Sequence, residues 1–174
     1  MPNTWTTDLP SVLASLHQIE FDYADGEGID FEPYPKILDS QSTRDWFRAW
    51  TGNDIVTGEE FRVFGQDGTG GYAAFWLVRS NEAILEQPVI FLGSEGERGV
   101  VSRSFDEYLW LLAAGIGPME AVEYGAAPTD AGDKFLSFAK THSRIAKVAP
   151  EELLRLASEA FPDFSNWIDN LCRY

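Results

Sequence analysis

Positive charge is scarce in this sequence: 13 Lys and Arg stand against 28 Asp and Glu, for a formal net charge of -15. A surface this negative repels phosphate, so direct binding to nucleic acid or to an anionic membrane is not expected, and a basic protein is the natural complement. Cysteine is nearly absent. Cys172 stands alone, so no intrachain disulfide can form and no oxidising compartment is needed. The only histidines, His17 and His142, fall on separate predicted helices. A zinc site would need two more ligands from carboxylates or Cys172, so packing in the core or at the surface is the expected role of both. Long apolar runs are missing: Tyr72–Val78 and Leu109–Ala114 are far shorter than a membrane span, and Met1–Pro10 has neither the basic cluster nor the apolar segment of a leader. The expected location is cytoplasmic.

What is present suits a packed core. Hydrophobic residues make up 44% of the 174 and aromatics 14%, enough to offset the entropy of ordering the chain. The length fits one domain over residues 1–174. The acids are unevenly spread: residues 1–60 hold 12 acids and 3 bases, whereas residues 134–174 hold 5 and 6. The segment Glu20–Glu32 contains six acids, two glycines and no base, which predicts an exposed loop or edge element held down by its aromatics and Ile29.

Periodicity divides the chain. Asp8 before Leu9 and Pro10 reads as an N-cap, followed by a short helix with Val12, Leu13 and Leu16 on one face. Ser42 with Asp45 resembles a capping box for a helix carrying Trp46, Phe47 and Trp50, stopped by Gly52 and Asn53. From Glu59 the pattern changes. Phe61 with Val63, Tyr72–Val78, Val89–Leu92, and Val100 with Val101 are short β-rich runs that suit an antiparallel meander. Ser104 and Glu107 form a capping box for a helix through Leu112, with Gly115 at its C′ position. A Gly- and Pro-rich connector, residues 115–133, leads to a helix with Phe135, Phe138, Ala139 and His142. Another helix opens at Pro150, and Pro162 separates it from Phe164–Leu171. The expected fold class is α+β, with an antiparallel sheet of about four to six strands flanked by helices.

The segment from Phe61 to Gly115 carries a recognisable pattern. FRVFGQDGTGGYAAFWLV leads through PVIFLGSEGERGVV to SFDEYLWLLAAG. It resembles the SUKH superfamily, which groups bacterial immunity proteins of toxin systems with fungal cell-wall-assembly regulators. The match rests on Gly65, Asp67, Gly68, Gly70 and Gly71 of the turn, the strand Val89–Leu92, and Ser104 with Phe105 opening the helix. It departs at Tyr72, where the family often has an acid, and at Gly93–Glu97, where many members are rich in His or Asp. The resemblance implies a SUKH-like fold with its core motif at residues 59–115, a C-terminal helical extension at 134–174, and binding to another protein. The turn glycines read independently as positions that need φ > 0, with Asp67 bonding its own backbone.

Motifs for chemistry are weak. No Lys-Ser or Lys-Thr follows the glycine-rich turn, Ser94 lacks the first glycine of a nucleophile elbow, and Asp67 alone cannot form an EF-hand. No catalysis, cofactor or metal is expected. Acids interleaved with aromatics would suit an Arg- or Lys-rich surface. The candidate partner-binding residues are Asp22, Tyr23, Asp25, Glu27, Asp30, Glu32, Asp67, Glu95 and Glu97. With the resemblance, they suggest an immunity protein that neutralises a basic, nuclease-type toxin domain. An interaction or scaffold module in cell-wall or envelope regulation is the alternative.

Overall fold

The computed structural model describes residues 5–173; the leader reading of Met1–Pro10 falls in part outside them. The chain begins with helix α1 (Ser11–Leu16), the acidic loop, a short strand β1 (Glu32–Pro33) and helix α2 (Ser40–Thr51). Four strands follow: β2 (Phe61–Gln66), β3 (Tyr72–Trp76), β4 (Val89–Leu92) and β5 (Arg98–Ser102). Five helices complete it: α3 (Phe105–Ala113), α4 (Pro118–Glu123), α5 (Asp133–His142), α6 (Pro150–Ala160) and α7 (Phe164–Leu171). The five strands pair antiparallel in sequence order, an α+β fold built on a meander. No helix among the described residues is long and apolar enough to cross a membrane.

Both faces of the sheet are covered, which is why β3 and β4 read as nearly continuous apolar runs. Side chains alternate across a strand, so Ala73, Phe75, Val89 and Phe91 enter one core, with Leu13, Leu16, Phe135, Leu153 and the buried residues of α3. Ala74, Trp76, Ile90 and Leu92 enter the other, against Phe47 of α2 and Phe164 and Ile168 of α7. In β2 the same alternation puts Phe61 and Val63 in the second core and Phe64 in the first, and the pairing with β3 shifts register between Val63 and Gly65. Each fully buried Phe or Leu contributes about 2–3 kcal/mol relative to exposure. The second core closes on itself: Trp76 stacks on Trp167 with centroids 5.2 Å apart, and Arg173 N donates to Thr51 O at 2.7 Å.

The helix ends correct several expectations. Pro10, not Asp8, occupies the N-cap of α1; its ring disfavours helical backbone in the residue before it, so Asp8 lies two residues too early to cap. Asp39 caps α2 by accepting from Ser42 N at 2.8 Å, which places Ser42 inside the helix. Ser104 caps α3 as expected, but the Glu107 carboxylate reaches Arg103 N at 3.0 Å and the Arg103 guanidinium instead of closing the box on Ser104. Gly115 has φ 79°, with Gly115 N donating to Leu112 O and Ile116 N to Leu111 O, a Schellman ending. The connector after it is no plain loop, since α4 lies within it.

The turn glycines are required for two different reasons. Only Gly70 among those four expected positions has a left-handed φ, 93°. Gly65 lies within β2, where a Cβ would come 2.2 Å from Phe31 Cζ; at Gly71 it would come 2.7 Å from Phe91 Cζ. Space, not backbone sign, demands these two residues.

Candidate functional site

Four loops and a short helix meet at one end of the sheet. The acidic loop, the β2–β3 turn, the β4–β5 turn, and α4 with the segment after it enclose a cleft of about 500 Å3. Six carboxylates line it: Asp30, Asp67, Glu95, Glu97, Glu120 and Glu123. Tyr23 and Tyr124 also line it and are exposed over 56% and 67% of their surface. No Lys, Arg or His is among its lining residues.

Backbone amides hold these acids in place. In the β2–β3 turn, Asp67 is almost fully buried and accepts from Thr69 N at 3.0 Å and Gly71 N at 2.8 Å. Asp30 accepts from Gly68 N at 2.8 Å, tying the acidic loop to that turn. Glu120 completes the tie: its two oxygens accept from Asp30 N and Gly117 N, each at 3.2 Å. Glu97 accepts from Glu95 N at 3.1 Å within the β4–β5 turn. Ser94 Oγ donates to Thr69 Oγ1 at 3.0 Å, which links the two turns directly.

The local backbone explains the loop's shape. Asp22 accepts from Ala24 N at 2.9 Å, after which Ala24 and Asp25 both take left-handed φ, 47° and 53°. Such non-glycine residues cost on the order of 1–2 kcal/mol each. Ile29 and Phe31 anchor the loop in the first core, where Phe31 packs on Phe21 at 4.9 Å; Tyr23 is left outside it.

Because no basic side chain lines the cleft, its acids face one another uncompensated. Burial, reinforced by the Asp30 charge and opposed by the two amides, pushes the Glu120 pKa up to about 7. Glu123 is also raised, by desolvation and then by Glu97. Burial raises the Tyr108 phenol well above its ordinary value, with Glu120 adding to the effect; its hydroxyl has no hydrogen-bond partner among the described residues.

Of the nine residues singled out from the sequence, the fold brings Tyr23, Asp30, Asp67, Glu95 and Glu97 to the cleft. Asp22, Asp25, Glu27 and Glu32 do not line it. Asp22 shapes the loop, and Glu32 accepts from Gln66 Nε2 at 3.0 Å on the edge strand. Glu120, Glu123 and Tyr124 are not among the nine, because they fall in the Gly- and Pro-rich connector, for which no helix is expected. The signal was present: Gly117-Pro118 with Glu120 three residues after the cap is a helix start with a reaching carboxylate.

Chemistry within the cleft is limited by what lines it. The Ser94 and Thr69 hydroxyls lead to Asp67, with no imidazole or amine beside them. His17 lies elsewhere, its Nδ1 2.7 Å from Tyr34 O and its pKa lowered by burial, and His142 packs on Phe138. Among the described residues, no group of three or more His, Cys, Asp or Glu is arranged to hold a metal ion. The chain matches no family model, no curated protein and no solved structure.

Proposed function

We propose that this is a non-catalytic protein-binding domain whose acidic cleft receives basic side chains of a partner. The observation that carries it is the lining: six carboxylates and two exposed tyrosines around one cleft with no cation among them. Such a lining would offer charge to an ammonium or guanidinium group and aromatic faces for cation–π contact. We place the chain with the SUKH superfamily on the residue pattern of Phe61–Gly115, and read it as an immunity protein that occludes a basic, nuclease-type toxin domain in the cytoplasm. The arrangement of that motif supports this reading, because the β2–β3 and β4–β5 turns form two walls of the cleft while α3 closes the core beneath the sheet.

Affinity capture from the native lysate, at about 50 and 500 mM salt with mass spectrometry of the retained proteins, tests it. A basic toxin domain retained at low salt, lost at high salt, and inhibited by the purified protein is the expected outcome. Retention of neutral or acidic proteins alone, unaffected by salt, would refute the cleft as the docking surface; envelope or cell-wall regulators would favour the scaffold role.

A further inference from the structure

A second groove, remote from the cleft in its lining, is built around a buried cation. Arg62, the second residue of β2, is only 5% exposed. Its Nη1 donates to Glu59 O at 2.8 Å and Phe61 O at 2.9 Å, and its guanidinium lies 3.7 Å from the centroid of the Trp5 ring. No ion pair among the described residues includes it. Its Nε–H and Nη2–H have no hydrogen-bond partner among the described residues either, and Arg62 lines an open groove. A buried guanidinium with no carboxylate in ion-pair contact is costly, and desolvation lowers its pKa, with the Glu59 charge opposing from farther away.

We propose that the groove beside Arg62 binds a small monocarboxylate with an apolar body. Arg62 lines this groove of about 310 Å3 together with Leu9, Pro10, Ile37, Leu77 and Ile84. The volume matches the lower end of small-molecule pockets. The planar Nε–H and Nη2–H fork suits the two oxygens of a carboxylate, and the aliphatic walls suit a hydrocarbon tail. Two exposed acids, Asp8 and Glu82, also line the groove and repel a second negative charge, which selects a monoanion over a phosphate or a dicarboxylate. A cavity that touches Arg62 elsewhere contains Glu59 and Glu60, so the anion belongs in the groove lined by Leu9 and Ile84.

Titration of 15N-labelled protein with octanoate, octylammonium and octanol tests the site, read at the Arg62 Nε–H and Trp5 indole signals. Octanoate is expected to shift both signals with a Kd on the order of 1 mM or lower, at least about tenfold tighter than octanol, and octylammonium to shift neither. Ala83→Trp, an exposed groove position that leaves Arg62 intact, should abolish the octanoate shifts, and Arg62→Lys should weaken octanoate by about tenfold or more. Equal binding of octanol and octanoate, octanoate shifts that persist in Ala83→Trp, or no shift at about 20 mM octanoate would overturn the proposal.

Discussion

Glu120 is buried beside the Asp30 charge, and burial, which outweighs the two amides that oppose it, sets the sign of a pH response. Its folded pKa, about 7, lies above the ordinary 4.5. The folded protein therefore binds this proton more tightly than the unfolded chain does. The stability it contributes is full below about pH 4.5, is lost as pH rises towards 7, and changes little beyond. Glu120→Gln removes the titration, so the difference in stability between variant and wild type should move in favour of the variant by about 1–3 kcal/mol from pH 4.5 to pH 8. Thermal unfolding of both proteins across that range checks it, and a constant difference would show that Glu120 titrates normally. The glycines separate two physical causes at the same scale. Their importance was legible as a pattern, but the sequence could not say that Gly65 faces the Phe31 ring, a contact made across the sheet edge. Gly65→Ala should cost roughly 3 kcal/mol or more by overpacking, and Gly70→Ala about 1 kcal/mol through its left-handed backbone, both measurable by urea unfolding.

At the level of elements, strong periodicity decided what could be read. Helix α3 was legible because Ser104 and Gly115 bracket an apolar run; Ser104 caps one end and Gly115 ends the other, although Glu107 turns to Arg103. Ser104→Ala should therefore destabilise by about 1 kcal/mol, seen as a shift of the urea midpoint without a change in slope. The strands β2, β3 and β4 were legible from their β-rich runs between turn residues. The covered second face of the sheet was harder to see, because α2 and α7 lie far apart in sequence and meet it only through tertiary packing. Helix α4 was legible only at its start, in Gly117-Pro118 and Glu120. Six residues are too few to be helical alone, and α4 is held by Met119, buried in the first core, and by Ala121 and Val122 packed against it. That one omission removed Glu120 and Glu123 from the expected site, although the charge pattern had already pointed to the loop and turns beside them.

For the whole molecule, two contributions of the negative charge can be separated. A net charge of -15 steers any basic partner from a distance, and every acid shares in that, whereas only acids in the cleft would stay in contact once the complex forms. Two triple variants remove equal charge: Glu95→Gln with Glu97→Gln and Glu123→Gln in the cleft, and Asp22→Asn with Asp25→Asn and Glu27→Gln on the loop outside it. Both should slow association with a captured basic partner by a similar factor, roughly twofold to tenfold at low salt, and the effect should vanish near 500 mM. Only the cleft variant should also speed dissociation, by about tenfold or more. The same variant should fold more stably than wild type, because Glu97 and Glu123 repel one another in the free protein. Surface plasmon resonance and thermal unfolding on the two variants give four readouts. Faster dissociation in the loop variant alone would move the contact surface from the cleft to Asp22, Asp25 and Glu27, while a cleft variant that binds as wild type does would leave the clustered acids without a role in recognition.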